Sequence, residues 1–450
     1  MSEAHAEPHA EEPDSGKETK DLVKNDPAVK TEFDEGEGSR LKKRKCALFL
    51  VYLGHNYQGM QRNPGVKSIE DELFKAMYKA GAISEHNAAE EKAYQKIHWS
   101  RSARTDKGVS AICQVVSTMF IAPNGIVGLI NSHLPEDIRL LGYNRTVKGF
   151  DARKSCDRRR YEYIFPEWMF DPRLTPTTNN ELNELSPEEF AKRRDPNYVF
   201  DDAALEKLNA ILAQYEGTHN FHNYTIRVPA TSGQANRYML SFECNGVIEI
   251  GDERWVSMVV VGQSFMLHQI RKMVGMALSV FRGIVPESAL KWALKSRERY
   301  GVPMAPSLGL FLDKCYFESY NKQWERMHGA LDSDVSYGDE IRAFKLNRLY
   351  PSLVERDRAE GCNAAWLQEL YSKRQAYFNK YPGFVSEDWD NTYQAEVAKG
   401  EGKEDGNGRP PNGDDLKRKP TETRNEPRPH TTPQPIRKKR LIDISGEYSD

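Results

Sequence analysis

An aspartate beside two arginines is the side chain whose surroundings best suit chemistry. In the segment RSARTDKGVSA at 101–111, Asp106 follows Arg104 by two residues, and an alternating apolar run comes next. One interpretation is a turn carboxylate that accepts backbone N–H bonds. The segment alone favours it, because structural ion pairs also place arginine beside carboxylates. The other is a carboxylate kept ionised by Arg104 as a nucleophile or base, since an opposite charge within ~4–6 Å lowers an Asp pKa by about 1–3 units.

A second group of candidate residues lies on a segment with helical periodicity, FMLHQIRKMVGMALSVF at 265–281. Its apolar residues form a continuous stripe, which predicts a core-facing helix over this range. His268 and Arg271 are three positions apart on the edge of the stripe and are therefore neighbours on the helix. Packing is the simpler role for His268. Arg271 needs an anionic partner, and Asp106 or an RNA phosphate would serve.

Two further segments combine aromatic residues with basic or polar ones. In FDARKSCDRRRYEYIFP at 150–166, a predicted strand puts Tyr161 and Tyr163 on one face. That face is either a half-buried part of a sheet or a surface on which an unpaired RNA base stacks. The segment GTHNFHNYT at 217–225 is predicted as a loop that caps a helix or positions a base edge.

Several common classes of site lack their motifs. The chain has no GxxxxGK[ST], strand-linked GxGxxG or HExxH, and its six cysteines are widely spaced without a CxxC pair. We therefore expect reduced thiols and no zinc cage encoded by spacing, while a zinc site built from distant residues stays open. The longest apolar run, 46–53, is too short to cross a membrane, and the N-terminal region has no secretory apolar stretch. These features predict a soluble intracellular protein.

The net charge of −2 hides an uneven distribution of charge. The first forty residues carry twelve acidic against five basic side chains, whereas basic runs occur at 41–45, 153–160 and 437–440. A charge run is usually only a solvated face, but three of them, one just ahead of an aromatic strand, favour a nucleic acid partner. The runs at 42–45 and 437–440 also resemble nuclear localisation signals.

The order of elements predicts an α+β protein with two α/β halves and antiparallel sheets. Strands are expected at 46–53, 112–121, 160–165, 238–244, 246–250, 255–261 and 309–317, and helices at 68–80, 124–132, 201–214, 265–281 and from 286 onward. We predict a disordered acidic tail at 1–43, a folded region at 44–395 and a disordered basic tail at 396–450. Within the folded region we expect an N-terminal half (44–166), an insertion (167–200), a C-terminal half (201–320) and a helical extension (321–395).

Six segments in a fixed order resemble the TruA family of tRNA pseudouridine synthases. They are YLGHNYQGMQ (52–61), RTDKGVSA (104–111), FDARKSCDRRRYEY (150–163), GTHNFHNYT (217–225), GQSFMLHQIRKMVG (262–275) and APSLGLFLDKCYF (305–317). Six ordered segments are far more specific than any one of them. Met60 stands where bacterial relatives tend to have Trp. The segment HNFHNYT, the insertion and the C-terminal helices resemble the eukaryotic nuclear branch of this family.

The resemblance implies a nuclear isomerase that converts specific tRNA uridines to pseudouridine, with snRNA and mRNA as further candidate substrates. By this resemblance, Asp106 attacks or deprotonates the target nucleotide while uracil is detached, rotated and rejoined through C5. Arg104 and Arg271 would orient its carboxylate and hold the flipped nucleotide, and Tyr161 would stack on the base. The implied fold joins the two halves around a central RNA-binding cleft, with no metal and no required cofactor.

The predicted substrate-binding residues are Asn220, Phe221, His222, His268 and Arg153. A non-catalytic RNA-binding or chaperone protein that uses the same cleft is the alternative, although it would not need the four catalytic candidates. A glycosidase is less favoured, because hydrolysis usually needs a second carboxylate in an acid role. No membrane partner is expected. The oligomeric state stays open, with a monomer favoured because the C-terminal helices could cover the surface through which bacterial relatives form dimers.

Overall fold

A mixed sheet of nine strands forms the centre of the folded region. The structure is a computed structural model that describes residues 42–89, 92–174 and 185–379. The strands are β1 (Arg44–Tyr52), β2 (Ser100–Arg101), β3 (Ser110–Phe120), β4 (Ile138–Arg145), β5 (Arg158–Pro166), β6 (Gly217–Asn220), β7 (Asn236–Ile250), β8 (Glu253–Gly262) and β9 (Leu310–Tyr316). They follow the order β4-β1-β3-β9-β5-β8-β7-β6, and β2 pairs with β3 beside this path.

Strand β9 joins the two sides of the sheet. It runs parallel to β3, pairing Ser110 with Phe311 and Ala111 with Leu312, and antiparallel to β5 on its other edge. The other strand pairs of the described chain are antiparallel. Since β3 directly follows the segment that carries Asp106, the parallel pair brings the end of the C-terminal half to that segment. The predicted α+β class is confirmed.

Helices precede, follow and cover these strands. They are α1 (Ile69–Lys79), α2 (Glu85–Ala88), α3 (Ala93–Lys96), α4 (Ile126–His133), α5 (Pro187–Lys192), α6 (Asp202–Leu212), α7 (Gln269–Phe281), α8 (Ser288–Lys295), α9 (Glu318–His328), α10 (Ser333–Phe344), α11 (Tyr350–Glu360), α12 (Cys362–Ser372) and α13 (Arg374–Phe378). The helical extension predicted after residue 320 is present as α9 to α13. No helix in the described ranges is long and apolar enough to cross a membrane.

Local sequence signals account for the beginnings of several helices. Ser68 caps α1, because its hydroxyl accepts the Asp71 backbone N–H at 3.2 Å. The helix predicted at 265–281 begins later, at Gln269. His268 has a left-handed φ of 65°, which a right-handed helix cannot contain. Residues 263–268 are therefore a loop that ends in a strained turn.

Strand predictions fail at the edges of the sheet. The sequence predictions omit β4 and β6, the two edge strands, whose partly exposed residues give a weak apolar pattern. The two strands predicted at 238–244 and 246–250 are one strand, β7, with an irregularity between Cys244 and Gly246. The insertion at 167–200 contains a 3₁₀ turn and α5 where it is described. The predicted tails, except residues 42–43, and residues 380–395 of the predicted extension lie outside the described residues.

A buried charged cluster attaches the C-terminal helices to the centre of the sheet. Glu162 on β5 is 4 % exposed and accepts hydrogen bonds from Ser257 Oγ at 2.9 Å, Tyr350 Oη at 2.9 Å and Lys345 Nζ at 2.6 Å. The Lys345 ammonium also lies 3.6 Å from the Asp313 carboxylate on β9. Because Lys345 and Tyr350 lead into α11, the cluster holds this helix against β5 and β9.

We expect Glu162→Ala to lower the free energy of unfolding by about 3–5 kcal/mol, because it removes the closest anionic partner of a largely buried ammonium. Urea denaturation measures this loss. Glu369→Ala is the matched control, since it removes an exposed partner of Lys373 and should cost less than about 1 kcal/mol. Similar small losses for both variants would show that the cluster does not hold the C-terminal helices.

Candidate active site

Asp106 lies on a tight loop between β2 and β3, which we call the aspartate loop (102–109). Gly108 turns the chain with a left-handed φ of 80°, a conformation that favours glycine. The segment after β1 packs along the loop. The Met60 N–H donates to Thr105 O at 3.1 Å, and the Gly108 N–H donates to Tyr57 O at 3.2 Å. Backbone hydrogen bonds therefore fix the position of Asp106 before any side chain contributes.

Buried side chains of β1 and β3 support the aspartate loop. Tyr52 Oη and Thr105 Oγ1 lie 2.8 Å apart. Gln114 satisfies both backbone groups of Ala103, donating to its oxygen at 3.0 Å and accepting its N–H at 3.2 Å. Gly59 permits the close approach, because a Cβ there would lie 2.8 Å from Thr105 O. Larger residues at Gly59 would push the loop away from its support.

Arg159 connects the aspartate loop to two other segments. It is 9 % exposed and donates to Ser102 O from Nε at 3.0 Å and from Nη2 at 2.8 Å. Its Nη1 donates to Gln263 O at 2.6 Å, and its Nη2 donates to Arg153 O at 3.2 Å. The planar guanidinium offers several donors in a fixed geometry. One side chain thus fixes the aspartate loop, the loop before α7 and the turn before β5 relative to one another.

The Asp106 carboxylate lies close to the beginning of α7. The His268 backbone N–H hydrogen-bonds to it, and the side chains of His268 and Arg271 act on it electrostatically. Burial raises the pKa of Asp106 above its ordinary value, although the two side chains and the hydrogen bond favour the ionised form. Burial also lowers the pKa of the His268 imidazole, so the lasting positive charge beside the carboxylate is that of Arg271. The structure therefore brings together Asp106, His268 and Arg271 from two distant parts of the sequence.

Arg104 occupies a different environment from the one predicted. Its side chain is exposed, and the charged groups that act on it are Arg101, Arg153 and Glu70. Partial burial, followed by the two neighbouring arginines, lowers the pKa of the Arg104 guanidinium. The prediction that Arg104 keeps Asp106 ionised is therefore corrected. The side chains that favour the ionised carboxylate, His268 and Arg271, belong to the beginning of α7, and burial outweighs them.

Tyr161 is buried on β5 within electrostatic reach of Asp106. It is 6 % exposed and packs edge-on against Phe265, with ring centroids 5.2 Å apart. Burial is the main cause that raises the pKa of its phenol, and the Asp106 charge acts in the same direction. Tyr161 therefore keeps its proton at neutral pH. Its predicted stacking on a base stays a prediction.

Arg271 and Tyr163 both bind the segment before β9. Arg271 Nε donates to Ala305 O at 2.7 Å, and Tyr163 Oη donates to Pro306 O at 2.8 Å. Gly275 lets α7 approach the same segment, because a Cβ there would lie 2.4 Å from Pro303 O. These contacts hold the Arg271 side chain beside Asp106.

The predicted loop at 217–225 supports the beginning of α7. Its first four residues form β6, and the rest folds inward. Phe221 is fully buried, and His222 is 1 % exposed with Nδ1 bonded to Asn220 Oδ1 at 3.0 Å. Lys272 of α7 donates to Asn223 O at 3.1 Å. The contacts of Phe221, His222 and Asn223 therefore lie inside the protein and help to position α7. Contact of Asn220, Phe221 and His222 with substrate stays a prediction.

The sequence predictions omit Arg159, Gln114 and Lys272. Arg159 lies in the basic run at 153–160, where charge alone suggests a solvated face. The usable signal is its two-residue spacing from Tyr161, which puts both side chains on one face of the strand. Gln114 carries a similar signal, since a polar residue inside an apolar strand needs an internal partner.

Metal binding has no visible ligand set in the described ranges. Among those residues, no three His, Cys, Asp or Glu side chains come together as metal ligands. The six cysteines are free thiols. The absence of a required cofactor stays a prediction.

Comparison with known proteins relates the chain to RNA-modifying proteins. Residues 211–318 match a family model described as tRNA pseudouridine synthase. The pseudouridylate synthase 1 homolog of Mus musculus is 38 % identical over 349 residues, which cover 76 % of this chain and 77 % of that protein. Its namesake in Homo sapiens is 37 % identical, with 72 % of each chain covered. The tRNA pseudouridine synthase 1 of Yarrowia lipolytica is 34 % identical, with 81 % of each chain covered.

Titration of Asp106 by carboxyl ¹³C NMR should give a pKa above the ordinary value of ~3.9. Arg271→Met should raise that pKa further by about one unit, because it removes a cation that stabilises the ionised form. Arg104→Met is the control and should leave the Asp106 pKa nearly unchanged. A larger shift in the Arg104 variant than in the Arg271 variant would restore the pairing predicted from sequence.

Proposed function

The chain belongs to the tRNA pseudouridine synthase family, and on this premise we propose that it isomerises specific uridines of tRNA to pseudouridine with Asp106 acting on the target nucleotide. The observation that carries the role of Asp106 is its environment. One carboxylate, partly withdrawn from water, adjoins a backbone donor, the His268 imidazole and the Arg271 guanidinium at the beginning of α7. This arrangement favours a single reactive carboxylate over a turn residue that only accepts backbone N–H bonds.

The reaction rearranges one nucleotide without gain or loss of atoms. The bond from ribose C1′ to uracil N1 breaks, a bond from C1′ to C5 forms, N1 gains a proton, and C5 loses one. Asp106 attacks or deprotonates the nucleotide, and either role needs the ionised carboxylate. Arg271 and the His268 N–H favour that form. Because no oxidation and no phosphate transfer occur, we propose that the reaction requires no cofactor.

Access to the target base requires that it leaves its stack, which costs a few kcal/mol. We propose that the exposed Arg104 and Arg153 bind the RNA backbone beside the aspartate loop and offset part of this cost. Their exposure supports the role, because phosphate contacts supply most of the affinity of proteins for nucleic acids. Tyr161, which retains its proton, would pack against the detached uracil and could donate or relay a proton.

We extend the proposal to snRNA and mRNA as further substrates. Phosphate contacts do not distinguish one RNA from another, so the exposed arginines support a range of folded RNAs. We also propose a monomer. Tyr337 of α10 packs on Phe49 of β1 with ring centroids 5.3 Å apart, so this helix already covers that part of the sheet.

The test of the reaction is release of tritium from unmodified tRNA labelled at uridine C5. We expect the wild type to release tritium and Asp106→Ala to release none while still binding the tRNA, because phosphate contacts do not need the carboxylate. Release should continue in a metal chelator if the reaction requires no metal ion.

Each alternative has its own outcome in this assay. Binding without release by the wild type would favour a non-catalytic RNA-binding protein. Free uracil in place of pseudouridine would favour a glycosidase. Full release by the Asp106 variant would remove Asp106 from the reaction.

We propose that the protein acts in the nucleus and that the basic run at 437–440 directs it there. The other candidate run, 42–45, is less suited to a receptor, because Lys45 is 5 % exposed and its Nζ donates to His98 O at 2.6 Å. A fluorescent fusion of the full chain should lose nuclear accumulation when residues 437–440 become alanine. Lys42→Ala/Lys43→Ala is the matched control and should accumulate as the wild type does. Nuclear accumulation of the first variant would contradict this assignment.

A further inference from the structure

A pocket of about 240 Å³ opens beside β2, just before the aspartate loop. It is lined by both polar and basic side chains: Gln61, Arg62, Glu70, Lys92, Tyr94, Gln95 and Arg101. Three of these residues are cationic and one is anionic, so the pocket favours an anionic ligand. We call it the β2 pocket.

The single acidic residue of the β2 pocket is already engaged. Glu70 is fully buried. Its carboxylate accepts hydrogen bonds from the Arg62 backbone N–H at 2.9 Å and from the Trp99 indole N–H at 2.7 Å. Arg101 Nε also pairs with its carboxylate. Within the described part of the chain, the terminal nitrogens of Arg101 have no hydrogen-bond partner. Glu70 therefore orients Arg101 and leaves the other donors of the guanidinium available to a ligand.

Tyr94 lines the β2 pocket and is held in place by an aromatic stack. The rings of Phe74 and Tyr94 stack with centroids 4.6 Å apart and an interplanar angle of 21°. The Arg62 guanidinium lies over the Tyr94 ring, with Cζ 5.0 Å from the centroid, and Asp71 holds it at 3.3 Å. Half of the Arg62 side chain is exposed. A fixed guanidinium plane with an open face is a platform on which a nucleobase can stack.

The β2 pocket lies near the candidate active site. Arg101 is five residues before Asp106, a span of at most ~18 Å even in an extended chain. Arg101 and Arg153 both act electrostatically on Arg104. A line of arginines therefore runs from the pocket to the edge of the aspartate loop, which suits a continuous phosphate backbone.

From this geometry we propose that the β2 pocket binds a nucleotide of the substrate RNA outside the target uridine, with its base stacked on Arg62 and its phosphate bound by Lys92 and Arg101. This proposal rests on the proposed function, because the β2 pocket would be a second contact of the same RNA. Gln61 and Gln95 flank the platform and supply amide groups for the edge of the stacked base. The site would add affinity and select the RNA segment next to the target.

Binding of a fluorescein-labelled unmodified tRNA transcript, measured by anisotropy at several KCl concentrations, tests the pocket. All proteins carry Asp106→Ala, so that turnover does not affect the measurement. We expect Arg62→Ala/Lys92→Ala to weaken binding about tenfold, from the lost stacking and phosphate contact. Lys322→Ala/Arg326→Ala removes the same two charges from the exposed surface of α9 and should bind within about twofold of its parent.

A second variant separates stacking from charge. Arg62→Lys keeps the charge but loses the planar group, so it should bind about fivefold more weakly with an unchanged salt dependence. Two outcomes would overturn the proposed role of the β2 pocket. One is that Arg62→Ala/Lys92→Ala binds the tRNA as tightly as its Asp106→Ala parent, and the other is that the α9 control weakens binding by the same factor. Parent-like binding by Arg62→Lys would overturn its stacking platform. Failure of the proposed function is distinguishable, because it appears as absent tritium release by the wild type whatever the binding of these variants.

Discussion

The structure depends on holding one carboxylate partly out of water between segments that are far apart in the sequence. Removing a carboxylate from water disfavours its charge, and burial raises the pKa of Asp106 accordingly. The beginning of α7 offsets part of this effect with the His268 backbone N–H, the His268 imidazole and the Arg271 guanidinium. This offset requires the aspartate loop and α7 to meet in a fixed geometry. The unusual backbone at His268 and the buried Arg159 side chain both hold the aspartate loop against α7.

Three features keep the two segments in place. Arg159 donates to carbonyl oxygens of both the aspartate loop and the loop before α7. The left-handed His268 ends that loop and turns its own N–H toward the carboxylate. Strand β9 pairs with β3 and β5 and so closes the sheet beneath both. The cluster around Glu162 then ties the C-terminal helices to the same strands. The helices are thus coupled to the site through the sheet.

The sequence predicts the α+β class, the main strands and the central helices, because their apolar periodicity is long and their caps are local. The family resemblance also implies that Asp106 and Arg271 belong to one site. The residues alone do not predict which cation faces the carboxylate, because adjacency along the chain suggests Arg104 whereas tertiary packing supplies Arg271. Edge strands β4 and β6 escape prediction because their partly exposed residues give a weak apolar pattern. Arg159 is not predicted because a charged residue in a basic run suggests an exposed position, whereas its side chain is buried and hydrogen-bonded to backbone carbonyl groups.

The exposed position of Arg104 suits a role in neutralising the charge of the substrate RNA. An RNA backbone that enters the site brings phosphates near Asp106, and their charge raises the carboxylate pKa in the same direction as burial. In the free protein, Arg271 and the His268 N–H do not outweigh burial, so the Asp106 pKa is already raised. Arginines that pair with the phosphates would cancel this added charge at its source. Arg104 and Arg153 have the exposure for that pairing. Arg104 would then favour the ionised Asp106 through the substrate, without contacting the carboxylate.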